Sequence, residues 1–201
     1  MKILLLGKNG QVGHELQRTL LALGEVHAFG RQDADLEDLD ALGRLLDAQT
    51  PDLIVNAAAY TAVDKAETHQ DAARRINAEA VALLARYAQD KRARLVHYST
   101  DYVFDGTKAT PYDVDDQTNP QSVYGATKLA GESAIQESGC NALILRTSWV
   151  FSTHGGNFIK TILRLAKERD ALSIVADQHG APTSAEPVSY THLTLPTTPY
   201  V

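Results

Sequence analysis

The 201-residue sequence contains a single cysteine, Cys140, so no disulfide can form within the chain. It also has no excess of positive charge, because 19 Lys and Arg residues face 25 Asp and Glu residues and the formal net charge is −6. Such a balance does not supply the basic patch with which proteins neutralise nucleic-acid phosphates. We therefore expect neither a disulfide-stabilised fold nor a nucleic-acid partner.

Long hydrophobic runs are also absent, since no apolar stretch approaches the roughly 20 residues that a membrane-spanning helix needs. The first residues, MKILLLGKNGQVGHEL, start like a signal peptide, but their apolar run is short and no small-residue cleavage site follows. These features predict a cytoplasmic protein without a membrane partner. The 44% of hydrophobic residues is sufficient for one domain with its own core.

Short apolar runs alternate along the chain with longer segments of helical period. The predicted strands are KILLLG, VHAFG, PDLIVNAA, RLVHYST and ALILRTSWVF. The predicted helices are QVGHELQRTLLAL, LEDLDALGRLLDAQ, DAARRINAEAVALLARYAQD, YGATKLAGESAIQES and NFIKTILRLAKE. This alternation is typical of β-α-β units. It predicts an α/β fold with a doubly wound parallel sheet and without internal repeats.

A glycine-rich segment, GKNGQVG, joins the first predicted strand to the first helix and contains Gly7, Gly10 and Gly13. In a β-α-β unit such glycines permit a tight turn, close approach of a pyrophosphate and close packing of the helix, whose N-terminus attracts the anion. A tight turn that binds nothing is the alternative, although the flanking strand and helix favour a dinucleotide site.

The second predicted strand is followed by FGRQDADL, without an acidic residue directly at the strand end. Arg31 there is a candidate partner for the 2′-phosphate of NADPH, and a solvated surface charge is the alternative. Asp35 and Leu36 are predicted to flank the adenine. The stretch NAAAYT, residues 56–61, ends the third strand and is predicted to lie near the central part of the cofactor.

Candidate catalytic residues follow the fourth strand and begin the next helix. Thr100 and Asp101 come at the strand end, where doubly wound folds bind ligands. Tyr124 and Lys128 are four residues apart and share a helix face, so an ammonium group there is expected to lower the pKa of the phenol. Thr100 is predicted to hold a substrate carbonyl while Tyr124 donates the proton. Alone, Y-x-x-x-K is also typical of a packed aromatic beside a solvated lysine.

Six segments together carry a resemblance to a known family: GKNGQVG, NAAAYTAVDKAE, HYSTDYVFDG, YGATKLAGE, RTSWVF and DQHGAPT. They are similar to the extended short-chain dehydrogenase/reductase superfamily, with a Rossmann-type NAD(P)-binding domain, and within it to the dTDP-4-dehydrorhamnose reductase family. The similarity extends from Met1 to about Glu186. It implies that NADPH or NADH reduces dTDP-4-dehydro-L-rhamnose to dTDP-L-rhamnose, a precursor of bacterial surface polysaccharide.

The resemblance also implies residue roles, with Tyr124 as the acid, Lys128 as its partner and ribose contact, and Thr100 as the group that orients the ketone. Together with the glycine segment, the implied cofactor contacts are Gly7, Gly10, Gln11, Val12, Gly13, Gly30, Arg31, Asp35, Leu36, Ala59, Tyr60, Thr61, Tyr98, Tyr124 and Lys128. The implied substrate contacts are Thr100, Asp101 and Trp149, with core packing as the alternative for Trp149. Some relatives hold Mg²⁺ at a homodimer interface through positions that match Glu15 and Glu186, although two such acids are more often solvated.

The resemblance ends near Val188, where VSYTHLTLPT looks like the translation of a sequencing-library adapter. We therefore predict a domain over residues 1–187 that includes the start of the substrate-binding portion, with the C-terminal substrate domain largely missing. Residues 188–201 are predicted to form a non-native tail in which TLPTTPY is poorly ordered.

Two other functions remain open from the sequence alone. One is an NAD-dependent sugar-nucleotide epimerase or dehydratase, although a dehydratase is expected to have a glutamate where Tyr102 follows Asp101. The other is a non-catalytic, dinucleotide-binding regulatory subunit. The intact Thr100, Tyr124 and Lys128 argue against it, because binding alone needs no proton donor.

Overall fold

A computed structural model describes residues 1–194 of the chain, with side chains through Tyr190. Its main sheet has five strands: β1 (Lys2–Leu6), β2 (Glu25–Phe29), β3 (Leu53–Asn56), β4 (Arg94–Thr100) and β5 (Asn141–Thr147). The strands are all parallel and their order is β2-β1-β3-β4-β5. The winding direction reverses between β1 and β3, where doubly wound sheets open a crevice at their carboxyl ends. The predicted α/β class is confirmed.

Eight α-helices occur within residues 1–194, and two short strands form a separate parallel pair. The helices are α1 (Gln11–Thr19), α2 (Leu39–Gln49), α3 (Val63–Ala66), α4 (Gln70–Arg74), α5 (Ala80–Lys91), α6 (Val123–Ser138), α7 (Phe158–Glu168) and α8 (Ala185–Thr194). The short strands are β6 (Val150–Phe151) and β7 (Thr183–Ser184). No helix in this part of the chain combines the length and apolarity that a membrane crossing requires.

The core lies on both faces of the sheet, because alternate strand residues point to opposite sides. On one face, strand side chains pack against α2, α5 and α6, with Leu4, Leu6, Ile54, Leu95, Leu42, Leu46, Leu84 and Ile135 buried. On the other face they pack against α1 and α8, with Ile3, Leu5, Val55, Val96, Leu16, Leu20 and Val188 buried. Burial of each such side chain contributes about 1.5–3 kcal/mol.

The predicted long helix after β3 contains a widened turn. A π-helical turn over Arg75–Glu79 joins α4 directly to α5. Such turns occur frequently at functional sites. Here the turn contains the buried Asn77, which contacts the residues around the cleft described below.

The fifth strand is shorter than predicted. Thr147 pairs with Thr100, and the neighbouring strand β4 then turns into a 3₁₀ helix at Asp101–Val103. The strand therefore loses its hydrogen-bonding neighbour, and Trp149 adopts a left-handed conformation with φ 44°. The following residues form β6 instead of extending β5.

The first residues of the predicted tail belong to the fold in the structure. Val188 on α8 joins the core beside α1, and the Thr19 hydroxyl donates to the Ser189 carbonyl over 3.0 Å. The adapter origin of the tail stays a prediction. Residues 195–201, which include most of TLPTTPY, lie outside the described residues.

Candidate active site

A cleft of about 810 Å³ opens at the carboxyl ends of the strands. Its size is within the range of small-molecule and cofactor sites. The predicted residues that line it are Gly7, Gly10, Gln11, Val12, Gly30, Arg31, Asp35, Leu36, Ala59, Tyr60, Thr61, Tyr98, Thr100, Asp101, Tyr124, Lys128 and Trp149. The structure thus brings the candidate cofactor, substrate and proton-transfer residues to one cavity. Three predicted residues are elsewhere: Gly13, Glu15 and Glu186.

The three glycines of the segment that leads from β1 into the first turn of α1 have different surroundings. Gly7 has a φ of 87°, and a Cβ there would come within 2.7 Å of the Ala58 nitrogen. A Cβ on Gly13 would lie 2.0 Å from the Gly7 carbonyl oxygen, so Gly13 permits the close packing of helix and loop. A Cβ on Gly10 would meet only the Gly7 oxygen, at 3.4 Å. The space beside Gly10, which a side chain would occupy, is therefore open to the cleft.

The N-terminus of α1 faces the same space. Gly10 is its N-cap, and no side chain caps the helix there. The backbone N–H groups and the helix dipole can therefore bind an anion such as a pyrophosphate. A dinucleotide fits this combination of an open glycine and an uncapped helix.

The segment after β2 is rich in exposed charges. Arg31 pairs through Nε with Asp35 at 3.3 Å and through a terminal nitrogen with Glu37 at 3.1 Å. Lys8 pairs with Asp33, whose carboxylate also accepts from the Gly30 N–H over 3.2 Å. Arg31 is thus at the cleft, but a 2′-phosphate would compete with two carboxylates for it.

Asn77 fixes the loop that follows β3. Its Oδ1 accepts from the Tyr60 N–H over 2.9 Å, and its Nδ2 donates to the Tyr60 carbonyl over 3.1 Å. The same Nδ2 donates to the Thr127 hydroxyl over 3.2 Å. Asn77 therefore ties the predicted cofactor loop to α6, next to Lys128.

Thr100 and Tyr124 form the candidate proton-transfer site. The Thr100 hydroxyl accepts from the Tyr102 N–H and donates to Asp101, each over 3.2 Å. Burial raises the pKa of Tyr124, and hydrogen bonding with Thr100 opposes that shift, while Asp101 adds to it. The phenol is therefore protonated at neutral pH and can act as an acid.

Lys128 differs from the sequence expectation. Its ammonium was expected to lower the pKa of Tyr124, but the pKa is raised and Lys128 is not among the causes. The Lys128 Nζ instead donates to the Tyr98 carbonyl over 2.6 Å and lies 3.2 Å from His97 Nε2. Burial lowers the pKa of Lys128 to about 8, although Glu132 opposes the shift. The Lys128 nitrogen thus contacts groups on β4 rather than Tyr124, its neighbour on the helix.

Trp149 lines the cleft and does not belong to the core, since it is 44% exposed. The segment after it contacts the glycine loop through Gln11, whose Nε2 donates to the Val150 carbonyl over 3.1 Å. Asn157 donates to Gln11 Oε1 over 2.9 Å. Gln11 therefore links the start of α1 to the segment that contains Trp149.

The predicted metal pair has another partner in the structure. Arg18 lies 3.8 Å from a Glu15 carboxylate oxygen and 3.4 Å from one of Glu186. Within the described part of the chain, no group of three or more His, Cys, Asp or Glu side chains could hold a metal ion. Both acids thus have Arg18 as a neighbour, and the structure does not support the magnesium expectation.

Sequence reasoning placed Asn56 and Ser99 at the ends of their strands, but it did not identify three other buried polar residues beneath the cleft: Asn77, His97 and Glu132. Arg146 binds the Glu132 carboxylate through Nε and a terminal nitrogen, and Ser99 donates to it. The available signal was polarity in an otherwise apolar strand, because VHYST places His97 among core residues. Sequence alone could not give their partners.

The chain matches the family model described as the RmlD substrate binding domain over residues 1–199. It is 53% identical over 189 residues to the dTDP-4-dehydrorhamnose reductase of Burkholderia thailandensis, covering 94% of this chain and 63% of that protein. The chain therefore spans less than two thirds of the length of this curated relative.

Two solved structures show the same fold. The first, a dTDP-4-dehydrorhamnose reductase from Clostridium acetobutylicum, has a TM-score of 0.92 and 41% identity, over 97% of this chain and 70% of that one. The second, the corresponding protein of Bacillus anthracis in complex with NADP, has a TM-score of 0.91 and 37% identity, over 96% and 69% of the two chains.

Proposed function

Because the chain belongs to the RmlD substrate-binding-domain family, we propose that it carries the cofactor-binding and catalytic part of a dTDP-4-dehydrorhamnose reductase. The proposed reaction reduces the C4 ketone of dTDP-4-dehydro-L-rhamnose to the alcohol of dTDP-L-rhamnose, with NADPH or NADH as cofactor. The relative from Burkholderia thailandensis has this name, and the Bacillus anthracis protein binds NADP.

One juxtaposition supports the proposal most strongly. The open space at Gly10 and the uncapped N-terminus of α1 share a cleft with Thr100 and Tyr124. The cleft thus combines a helix N-terminus that can bind a pyrophosphate with the hydroxyl groups of Thr100 and Tyr124, which can hydrogen-bond to a carbonyl oxygen. A protein that only binds a dinucleotide would need the helix N-terminus but not the two hydroxyl groups.

The cofactor contacts follow from this arrangement. The N–H groups at the start of α1 would hold the pyrophosphate, and Arg31, Asp35 and Leu36, which line the same cleft, would border the adenosine end. Lys128 is the candidate for the ribose nearest the reacting ring. When bound, the nicotinamide supplies the hydride, and the protein positions and polarises the ketone.

Proton transfer is assigned to Tyr124. Its raised pKa keeps the phenol protonated, so its O–H donates the proton that the alkoxide oxygen needs. Thr100 orients the ketone through its hydroxyl, whose single proton would exchange its present bond to Asp101 for one to the ketone oxygen. Ser148 donates to the other Asp101 oxygen over 2.7 Å and keeps that carboxylate in place.

The dTDP-sugar contacts at Asp101 and Trp149, the cytoplasmic location and the homodimer stay predictions. Magnesium is not part of the proposal, because Arg18 already pairs with Glu15 and Glu186. The alternatives of an epimerase or dehydratase gain no support at Tyr102, whose ring packs edge-on against Tyr124 at 5.5 Å. A tyrosine in that position does not replace the expected glutamate.

The test is NADPH oxidation with dTDP-4-dehydro-L-rhamnose as substrate. It is measured for the chain itself and for a chimera that adds the remaining portion of the Burkholderia thailandensis relative. We expect turnover in the chimera and product with the mass of dTDP-L-rhamnose. A chimera that binds NADPH but never reduces this ketone would contradict the proposed reaction, and the epimerase assay with NAD would then be the next measurement.

A further inference from the structure

Trp149 is the only tryptophan of the chain, and its indole lies directly against Gly180. A Cβ added to Gly180 would lie 2.6 Å from Trp149 Cε2, 2.7 Å from Nε1 and 3.1 Å from Cδ2. Cβ atoms essentially never come within 3.0 Å of such neighbours. Only a glycine can therefore occupy position 180 while the indole keeps its place.

The three distances show the direction from which Gly180 approaches the ring. Cε2 is bonded to three atoms of the indole, all in the ring plane, so an atom that approached within the plane would come closer to one of those three. The nearest ring atom is nevertheless Cε2 itself. Gly180 therefore lies over one face of the indole. Trp149 is 44% exposed and lines the cleft, so it offers the opposite face and the ring edges to a ligand.

The backbone next to Trp149 is held in place on two sides. The Thr183 N–H donates to the Trp149 carbonyl over 3.2 Å, and the pairing of β6 with β7 begins at the next residue. The Gln11 side chain donates to the Val150 carbonyl over 3.1 Å. The strand that follows Trp149 is thus bound both to β7 and to the glycine loop.

The conformation of Trp149 is strained. Its φ of 44° lies in the left-handed region, which residues with a side chain rarely adopt. Such strain persists only where the surrounding contacts enforce it, and strained residues cluster at ligand sites. Core packing does not account for the strain here, because Trp149 is partly exposed at the cleft.

We propose that Gly180 is a positioning residue, which supports the indole of Trp149 so that its free face contacts the hexose of a sugar nucleotide. The free face is a large apolar surface, which suits the C–H groups on one side of a sugar ring. A side chain at position 180 would push the indole away from this support. The contact with the hexose rests on the proposed function, whereas the support of the indole does not.

The fluorescence of Trp149 tests the support in the chain without ligand, because no other tryptophan contributes. Gly180→Ala should displace the indole and leave the fold intact, since the backbone of Trp149 is held and its ring can rotate. We expect emission at longer wavelength. The acrylamide quenching constant should rise by about twofold, because a residue that is 44% exposed roughly doubles its exposed area when it moves into solvent.

Gly156→Ala is the matched control for the fluorescence, because it lies in the segment after Trp149 and a Cβ there meets nothing within 4 Å. Its emission and quenching should equal those of the unmodified chain. Circular dichroism verifies the fold of each variant. Unchanged fluorescence in Gly180→Ala would overturn the proposal. Loss of the fold in Gly180→Ala would also overturn it, because the indole and not the backbone is proposed to yield.

The contact with the hexose is tested in the chimera with dTDP-4-dehydro-L-rhamnose. Gly180→Ala should raise KM for this substrate by about two- to tenfold, the contribution of one aromatic contact, with kcat and NADPH affinity nearly unchanged. Trp149→Ala should raise KM similarly. In that background Gly180→Ala should raise it no further, because both substitutions remove the same contact.

Independent increases of KM from the two substitutions, or a fall in kcat alone, would contradict positioning through Trp149. If the unmodified chimera does not reduce the ketone, the proposed function fails. The fluorescence of the chain still decides in that case whether Gly180 supports the indole.

Discussion

At the adenosine end of the cleft, the Arg31 side chain is 73% exposed and pairs with two carboxylates that are also partly in solvent. At the catalytic end, Lys128 is 1% exposed and is held by His97 and the Tyr98 carbonyl. Water screens the first set of charges, whereas burial shifts the protonation of the second. The same cleft thus combines a solvent-exposed charged rim at Arg31 with a buried, hydrogen-bonded proton-transfer site at Lys128.

The largest effect is expected at the buried end. In the chimera, Tyr124→Phe keeps the ring but removes the donated proton, so the reduction rate should fall by about 10²–10⁴-fold. NADPH affinity should change little, because the phenol is not needed to bind the pyrophosphate. NADPH oxidation and NADPH titration on the same preparation separate the two effects. An unchanged rate would remove Tyr124 from the reaction.

The burial of an ion pair should also determine how much the pair contributes to the free energy of unfolding. Glu132→Gln removes a carboxylate that is 1% exposed and leaves the half-buried Arg146 without its charge partner, and we expect the free energy of unfolding to fall by about 3 kcal/mol. The exposed pair of Arg164 and Glu168 is the control, and Glu168→Gln should change stability by about 0.5 kcal/mol or less. Urea denaturation measures both. Equal losses would mean that burial does not distinguish these pairs.

The glycine loop offers a matched pair of substitutions. Gly13→Ala places a Cβ 2.0 Å from the Gly7 oxygen and should destabilise the chain by about 1–3 kcal/mol. Gly10→Ala meets only an ordinary contact at 3.4 Å and should cost less than about 1 kcal/mol. Thermal unfolding without cofactor compares the two variants. A larger loss at Gly10 would contradict the assignment of its space to a ligand.

The smallest effect is expected at Arg31. Arg31→Ala should weaken NADPH relative to NADH by about threefold, since an exposed ion pair contributes little and two acids already compete for the guanidinium. Titration of both cofactors gives the ratio. A ratio that does not change would make Arg31 a solvated charge, which is the alternative that its sequence position left open.

The fold was largely predictable because apolar strands and amphipathic helices alternate in the sequence. The end of β5 was not, since it depends on where its neighbour β4 turns away at Asp101. The packing of Val188 against α1 was not predictable for a related reason, because it depends on a contact between segments that are distant in the sequence.

The site was predictable where a motif defines local geometry, as at Gly10 and in the spacing of Tyr124 and Lys128. It was not predictable where partners are distant in sequence. His97 precedes Lys128 by 31 residues, and Asn56 precedes His97 by 41. Helix spacing suggested Tyr124 as the partner of Lys128, but the groups on β4 lie within hydrogen-bond distance of its nitrogen.

The central claim is that this cleft binds a nicotinamide dinucleotide through the glycine loop, and one titration tests it most directly. NADPH is titrated against the unmodified chain and against Gly10→Val, with circular dichroism to verify that both are folded. We predict saturable binding to the unmodified chain and its loss in the variant, because the valine side chain fills the space of the pyrophosphate. Equal affinities in two folded proteins would contradict the account.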